Sequence, residues 1–326
     1  MDRSTAAELK QLPQSGKTPF KGIFILLSKE VRTARNGNEF LAIELGDNSG
    51  SFRSNCFKDG NLFSILERLD PGAIVEVEGD SDFFNNNFSP RLNKLLEVEE
   101  ERARNEGLLD SLVKVSVEDP ESLRSELESA IAEIHPDALR QTVEAVLEEY
   151  QSCFYTSSAA ISMHHAYRFG LLEHTVHMVR CVRALLPHYT EIHPGLALAG
   201  TILHDVGKVL EYTQALTTAK TRPGILHGHV VLGFKIVRKA AIQAKLNPDL
   251  TERLEHIILS HQGELEWGAA TKAATPEAVF VSMVDNLDAK MGMVQEALRQ
   301  ALPEQEFSEY LPGLGTNLLL RPPEAD

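Results

Sequence analysis

The chain has 326 residues and a formal net charge of −15 at pH 7, with 43% hydrophobic and 24% charged residues. These proportions are typical of a soluble globular protein with room for two domains. The negative charge disfavours a protein that coats duplex nucleic acid through bulk electrostatics. No apolar run approaches the roughly 18–20 residues that span a bilayer, so we expect no membrane segment. No signal peptide is visible, and the three scattered cysteines predict free thiols, so we expect a cytoplasmic location.

The charge is unevenly distributed along the chain. Residues 17–58 hold seven Lys/Arg against four Asp/Glu, whereas residues 97–150 hold sixteen Asp/Glu against five Lys/Arg. This pattern predicts a mildly basic N-terminal module followed by an acidic segment. Residues 1–16 are polar, and we interpret them as a flexible tail.

Residues 17–98 contain five short β-type runs, with a short helical run at Asn61–Leu69 after the third. The Asn36-Gly37 pair predicts a hairpin turn between the first two strands. Five strands with a helix after the third is the order of an OB-fold, a partly open Greek-key barrel. The predicted strands cover residues 22–28, 40–45, 51–57, 73–79 and 88–98.

Barrels of this kind bind single-stranded nucleic acid through a basic groove and aromatic side chains on which bases stack. Residues 17–98 supply both kinds of side chain, although the alternative is that most of these phenylalanines fill the barrel. We select Arg53 and Phe83 as the residues of the binding face. The full set comprises Phe52, Phe57, Phe83, Phe84, Phe88, Lys29, Arg32, Arg35, Arg53 and Lys58.

The rest of the chain is helical in pattern, so the predicted fold is a β-barrel domain followed by an all-α domain. Residues 99–150 are acidic, and Pro120 and Pro136 each mark the start of a helix. We interpret this segment as a connector that includes the first helices of the second domain. Residues 151–300 hold most of the twelve histidines and form the main helical domain. Residues 301–326, rich in Pro and Gly, are expected to be irregular.

His204 and Asp205 lie side by side on a predicted apolar helix, about 100° apart around its axis. An imidazole beside a carboxylate suits a first-row divalent metal better than calcium or magnesium, which favour oxygen ligands. A chance His-Asp pair is the alternative. Burying an unpaired aspartate in such a helix costs several kcal/mol, which favours the metal site.

Two further helices place candidate ligands on their apolar faces. His174 shares a face with Leu171 and Met178, whereas His177 falls on the polar face and is not selected. Asp285 and Asp288 have i, i+3 spacing and point the same way from an apolar helix. Because Asp285 lies deeper in the apolar run, we predict that it is a ligand and that Asp288 lies behind the ligands.

A second metal position is predicted from two more histidines. His229 lies on the apolar stripe of its helix, and His261 lies on the inward face of the next one. His256 lies near the polar edge of that helix, so His261 is the preferred ligand. Asp205 would bridge the two metal positions.

These motifs, in this order, resemble the HD superfamily of metal-dependent phosphohydrolases, whose pattern is H…HD…D. The chain is most similar to the 3′–5′ exoribonucleases of the YhaM type, which combine an OB-fold with an HD domain. The resemblance departs where the family usually has two adjacent histidines and this chain has His261-Gln262, which bears on the second metal. It runs from about Phe20 to Arg321 and rests on His164-His165-Ala166-Tyr167-Arg168, Gly170-Leu171-Leu172-Glu173-His174, His204-Asp205-Val206-Gly207-Lys208, Gly228-His229, Ile258-Leu259-Ser260-His261 and Asp285-Asn286-Leu287-Asp288-Ala289-Lys290.

The resemblance implies a homo-oligomeric 3′–5′ exoribonuclease that hydrolyses single-stranded RNA, with single-stranded DNA as a further candidate substrate. It implies one or two divalent ions (Mn, Co, Fe, Ni or Zn, with Mn favoured) and catalytic roles for Asp205 and Lys208. An HD-type nucleotidase or cyclic-nucleotide phosphodiesterase and a non-catalytic single-strand-binding regulator are the alternatives. The implied metal ligands are His174, His204, Asp205, Asp285, His229 and His261. Arg168, His164 and His165 would contact the substrate, and Asp288, His256 and Gln262 would lie behind the ligands. Two alternatives stay open from the residues alone: His164 and His165 could cap a loop, and Lys208 could be a solvated lysine on a helix face.

Overall fold

The computed structural model describes residues 3–14, 16–34, 37–84, 87–113, 115–116, 118–160, 167–213, 216–299, 301–302 and 304–323. The chain forms two compact units. The first comprises residues 1–115 with 215–217, and the second comprises residues 116–214 with 218–326. Among the described residues, no helix combines the length and the apolar character needed to cross a membrane.

The first unit is built on an antiparallel sheet in the order β3-β2-β1-β4-β7. The long first strand pairs through its first half with β4 and through its second half with β2, and the register shifts between Leu26 and Ser28. The strands are β1 (Pro19–Thr33), β2 (Glu39–Asp47), β3 (Gly50–Phe57), β4 (Ile74–Asp80), β5 (Phe83–Phe84), β6 (Asn87–Phe88) and β7 (Arg91–Val98), and the helices are α1 (Ala6–Lys10), α2 (Phe63–Arg68), α3 (Glu100–Asn105) and α4 (Leu109–Leu112).

The two outer strands of this sheet meet and bring it close to a closed barrel. The buried Ser54 hydroxyl of β3 donates a 2.8 Å hydrogen bond to the carbonyl of Pro90, just before β7. Alternate residues of β2 and β3 point into the barrel, as the period of two in a strand requires. The predicted fifth strand at 88–98 is divided at Pro90, which has no N–H to donate to a ladder.

The N-terminal residues are not the flexible tail that was predicted. Thr5 and Glu8 form a capping box at the start of α1, and Ala6 and Leu9 are buried in the barrel core. The Ala6 N–H also donates to Asp47 Oδ2 at 2.8 Å. The sequence-based prediction relied on the polar composition of residues 1–16 and therefore missed that Ala6 and Leu9 are buried.

Residues 100–112 belong to the first unit. Ala103 of α3 and Leu109 and Leu112 of α4 pack in a small apolar cluster with Ile25 and Ile74 of the barrel. The sequence pattern predicts a domain boundary after residue 98, whereas the division between the two compact units falls after residue 115. Helical periodicity shows that a face is apolar but does not show which core will cover it.

The second unit is a bundle of helices around one apolar core. Helix α8 lies at its centre, because it packs against α6, α7, α11 and α12. The two-domain prediction, an OB-type barrel followed by an all-helical domain, is confirmed. The helices are α5 (Pro120–Ala132), α6 (Asp137–Thr156), α7 (Gly170–Leu185), α8 (Pro194–Leu203), α9 (Lys208–Glu211), α10 (Arg222–Gln243), α11 (Pro248–Ser260) and α12 (Pro276–Arg299).

The C-terminal segment forms a hairpin rather than the irregular tail that was predicted. Strands β8 (Phe307–Leu311) and β9 (Thr316–Leu319) pair in antiparallel fashion. Gly315 in the turn between them has φ +71°, a conformation that glycine adopts without the steric cost that other residues pay. Pro312, Gly313 and Gly315 therefore lie in a tight connection between the two strands.

Candidate metal centre

The His204-Asp205 pair lies in a tight turn rather than in a continuous helix. Helix α8 ends at Leu203, and α9 begins at Lys208. Between them the Val206 N–H bonds to the Leu203 carbonyl at 3.1 Å and the Lys208 N–H bonds to the Asp205 carbonyl at 2.9 Å. These i→i−3 bonds are typical of a 3₁₀ turn, which tightens the chain at functional sites.

Gly207 in this turn allows α10 to approach closely. A Cβ atom at Gly207 would overlap the carbonyl oxygen of His229. Only glycine can therefore occupy this position while the two backbones remain at this distance. The close approach is what brings His229 within reach of Asp205.

The first cluster joins four side chains from α7, α12 and the turn after α8. His174 Nε2 lies 3.2 Å from His204 Nε2 and 3.4 Å from Asp285 Oδ1. Asp205 Oδ2 lies 3.3 Å from His204 Nε2 and 3.8 Å from His174 Nε2. Two imidazole nitrogens and two carboxylate oxygens thus lie close together, which is an N₂O₂ set for a divalent transition metal.

The second cluster uses the other oxygen of the same aspartate. Asp205 Oδ1 lies 3.5 Å from His229 Nε2 and 3.5 Å from His261 Nε2. Within the described part of the chain, no donor forms a hydrogen bond with this buried oxygen. Leaving a buried carboxylate oxygen unpaired costs free energy, whereas a cation among these three atoms would satisfy it. The residues present therefore fit a pair of divalent ions that share Asp205.

The four histidines of the two clusters are held in a common orientation. Each Nδ1 atom lies 2.7–2.8 Å from an oxygen that accepts its hydrogen, so each ring, in its neutral form, presents an Nε2 lone pair to its cluster. The acceptors are Asp288 for His174, the Thr201 carbonyl for His204, Glu211 for His229 and the Ile258 carbonyl for His261.

The electrostatics of the first cluster reflect its concentrated charge. Burial alone would lower the pKa of His174, but hydrogen bonds to Asp285 and Asp288 outweigh burial and raise it to about 10. Burial alone would raise the pKa of Asp205, but the charges of Lys208 and His204 hold it well below the usual range. The cluster keeps both carboxylates ionised, and a metal ion that bound here would displace the proton of His174.

The chain is also similar to known proteins. The HD domain family matches residues 171–290, which contain all six candidate ligands. A 3′-5′ exoribonuclease YhaM from Oceanobacillus iheyensis is 31% identical over 308 residues, covering 92% of this chain and 93% of that protein. The chain belongs to the YhaM family of 3′-5′ exoribonucleases. YhaM proteins of Shouchella clausii and Listeria monocytogenes are each 29% identical, cover 92% of this chain, and are covered over 92% and 94% of their own lengths.

Membership in this family confirms the resemblance inferred from the motifs, and an HD domain implies a bound divalent metal ion. The structure brings the six predicted ligands together in two clusters. It also places Asp288 directly behind His174, at 2.7 Å. Lys208 forms a 2.5 Å ion pair with Asp205 Oδ2, so its ammonium group lies against a candidate ligand.

The other predicted residues are placed differently. His256 Nε2 accepts the Ala274 N–H at 2.8 Å, which puts this ring against a loop and not against the clusters. The guanidinium of Arg168 lies over the ring of Phe169, 4.8 Å from its centroid. His164 and His165 lie outside the described residues.

Two polar groups that the sequence did not single out support the clusters from behind. Glu211, buried at the end of α9, accepts a hydrogen bond from His229 and pairs with Lys220 at 2.9 Å. His177, which was assigned to the polar face, lies 2.6 Å from Glu118 and 3.5 Å from Asp288. A helical wheel shows the outward direction of such a residue but not the neighbouring segment that covers it.

Arg180 donates two hydrogen bonds, of 2.8 and 2.7 Å, to the carboxylate of Glu118. These bonds, with a smaller contribution from His177, lower the pKa of Glu118 to about 2. Because the folded pKa lies below the value near 4.3 of an unfolded chain, the stabilisation is present above that pH and is lost as the pH falls towards 2.

We expect Glu118→Gln to lower the free energy of unfolding by about 1 kcal/mol at pH 7, since solvent screens this partly exposed pair. The difference from the wild type should shrink below about pH 4, where the Glu118 carboxylate of the unfolded chain takes up a proton while that of the native state is still ionised. Urea denaturation at pH 7 and pH 3 measures both values. Glu128→Gln, which breaks an exposed pair with Arg124, is the control with a smaller effect. A difference that did not vary with pH would contradict the assignment.

The barrel carries an aromatic pair that the sequence did not select. Phe40 and Phe57 lie opposite each other on β2 and β3, with ring centroids 5.5 Å apart, and 49% of Phe57 is exposed. Arg53, which was selected, is on the same outward face of β3 as Phe57. Phe83, also selected, is half-buried and packs with Phe88 against the barrel core.

Proposed function

We propose that this protein is a metal-dependent 3′–5′ exoribonuclease that shortens single-stranded RNA by hydrolysing phosphodiester bonds. The observation that carries the proposal is the pair of His/Asp clusters sharing Asp205, in a chain that belongs to the YhaM family. The helical unit would cleave the RNA, and the barrel would bind the strand.

Each side chain of the centre has a distinct task in this proposal. His174, His204, Asp205 and Asp285 hold one ion, and Asp205, His229 and His261 hold the other. When bound, divalent ions supply Lewis acidity and make water a stronger nucleophile at neutral pH. Lys208 balances the charge of Asp205 and adds positive potential where the phosphate would approach. We favour manganese, although sites of this composition also accept iron, cobalt, nickel or zinc.

A labelled oligonucleotide tests the activity directly. Single-stranded RNA with a label at its 5′ end, incubated with the protein and Mn²⁺, should give a ladder of progressively shorter products. RNA with a blocked 3′ end is the control and should resist shortening. Hydrolysis confined to mononucleotides or cyclic nucleotides would contradict the proposal.

For the barrel, we propose that the exposed Phe57 ring and its neighbour Phe40 form a platform on which bases stack. Arg32 lies opposite Phe40 across β1 and β2, and Arg53 lies on the face that carries Phe57. Both guanidinium groups are exposed near the rings, and each is paired with a glutamate, Glu30 and Glu44 respectively. Stacking on aromatic rings is tolerant of sequence and of the sugar, so single-stranded DNA is a second proposed ligand.

We expect Phe57→Ala to weaken binding of single-stranded RNA by about 1–3 kcal/mol, the value of one stacked base. Fluorescence anisotropy with a labelled oligonucleotide measures the affinity. Ile65→Ala, which removes another partly exposed apolar side chain from α2, serves as the control and should bind like the wild type. Equal affinities of the Phe57 variant and the wild type would show that bases stack elsewhere.

Self-association and a cytoplasmic location remain predictions within this proposal. Helix α12 carries a stripe of exposed apolar side chains at intervals of four residues, a pattern that suits packing against another helix. We propose this stripe as the contact between copies. It consists of Val279, Met283, Leu287 and Met291.

A further inference from the structure

The side-chain amide of Gln262 lies between the two histidines of the second cluster. Its nitrogen is 3.1 Å from His229 Nε2 and 3.2 Å from His261 Nε2. Because both rings donate from Nδ1 to oxygens behind them, both Nε2 atoms carry lone pairs. The amide NH₂ group can donate one hydrogen to each of them, so it matches both rings at once.

The amide therefore uses the same two lone pairs that a metal ion would use. We infer that Gln262 competes with the second metal ion for His229 and His261, so the second position binds its ion more weakly than the first. This inference rests on the proposed function, because it assumes a two-metal HD centre. It makes Gln262 a residue that sets the affinity of the second metal position.

The two positions differ in charge as well as in competition. The first position has two carboxylates, Asp205 and Asp285, facing its two histidine nitrogens. The second position has only the remaining oxygen of Asp205, and its other neighbour is the neutral amide. A divalent ion therefore gains more from the first position, while at the second it must also displace two hydrogen bonds.

The Gln262 amide does not provide a hydrogen-bond partner for every group of the second cluster. The amide donates to both histidines but leaves Asp205 Oδ1 without a donor among the described residues. A buried carboxylate oxygen in that state still favours a cation. The second position is consequently weakened by Gln262 but not abolished, and an ion at sufficient concentration should enter it.

The test is a Mn²⁺ titration of metal-free protein by calorimetry, with the number of bound ions counted by electron paramagnetic resonance. We expect the wild type to bind one ion tightly and a second ion more weakly. In Gln262→Ala, the dissociation constant of the second ion should fall about tenfold, equivalent to the one or two neutral hydrogen bonds no longer displaced. The first dissociation constant should be unchanged.

A second variant and a control keep the result interpretable. Gln262→Glu replaces the donor with a carboxylate, so it should tighten the second ion further, whether or not the alanine variant folds well. Gln243→Ala, on the exposed end of α10, should match the wild type. An alanine variant with an unchanged or weaker second ion would overturn the inference, and a weaker one would indicate that Gln262 is itself a ligand. Two equal ions in the wild type would also overturn it.

The RNA ladder separates this inference from the proposed function. A protein that shortens RNA but shows no effect of Gln262→Ala on Mn²⁺ binding refutes only the competition. A protein that binds two ions as described but yields no ladder refutes only the exoribonuclease proposal.

Discussion

Asp205→Asn is expected to slow RNA shortening by roughly 10³-fold or more, equivalent to about 4 kcal/mol of transition-state stabilisation. Asp205 is the residue that joins the two clusters, because its Oδ2 faces His204 at 3.3 Å and its Oδ1 faces His229 and His261 at 3.5 Å. An amide keeps the shape, but it replaces one oxygen with a nitrogen that cannot bind a metal and removes the negative charge from the other. Both positions are therefore weakened by one substitution.

The measurement is the initial rate of product formation from labelled RNA at saturating Mn²⁺. Thermal melting must accompany it, because the ammonium of Lys208 loses its 2.5 Å partner and the fold should be destabilised. Asp285→Asn, which alters only the first cluster, provides a second inactive variant. Asp249→Asn, at an exposed pair with Arg253, should keep the wild-type rate. A wild-type rate in the Asp205 variant would refute the metal mechanism.

Removal of divalent ions is expected to abolish RNA shortening and to lower the melting temperature. A ligand that binds only the native state at one hundred times its dissociation constant stabilises that state by about 2.7 kcal/mol. Chelation should therefore reverse a stabilisation of this size for each filled position, and added Mn²⁺ should restore both the activity and the stability.

Differential scanning fluorimetry across a Mn²⁺ series measures this shift. Asp205→Asn is the matched control, because it should show little or no shift over the same range. Melting temperatures of the wild type that did not respond to Mn²⁺, Co²⁺ or Zn²⁺ would contradict a native metal centre. Activity that survived exhaustive chelation would contradict a metal-dependent reaction.

Several elements could be predicted from the chain because their patterns are local. Alternating apolar residues in β2 and β3 and the helical spacing around His174 each reflect a period set by backbone geometry. Errors arose where a segment had few apolar residues. Two buried side chains, Ala6 and Leu9, are enough to order α1, although the composition around them is polar.

Other predictions were wrong about what surrounds a side chain, although the helix or strand itself was predicted correctly. His177 lies on the polar face of its helix and points away from the apolar core. Glu118, which is far from it in the sequence, nevertheless contacts its ring. Phe83 and Phe57 are both phenylalanines in the barrel unit, but Phe83 packs against the barrel core whereas Phe57 is half-exposed. Which aromatic side chain stays accessible depends on how the strands close, and this is a non-local property.

The sequence by itself determined the two fold classes and the residue types and order of the six candidate ligands, because periodicity and the cost of buried charge act within single segments. Only the tertiary structure decided that Asp205 directs one oxygen to each cluster and that Glu211 and Asp288 orient two of the histidines. It also placed the amide of Gln262 across the second histidine pair. Those arrangements depend on distances between helices far apart in the chain, which no local pattern specifies.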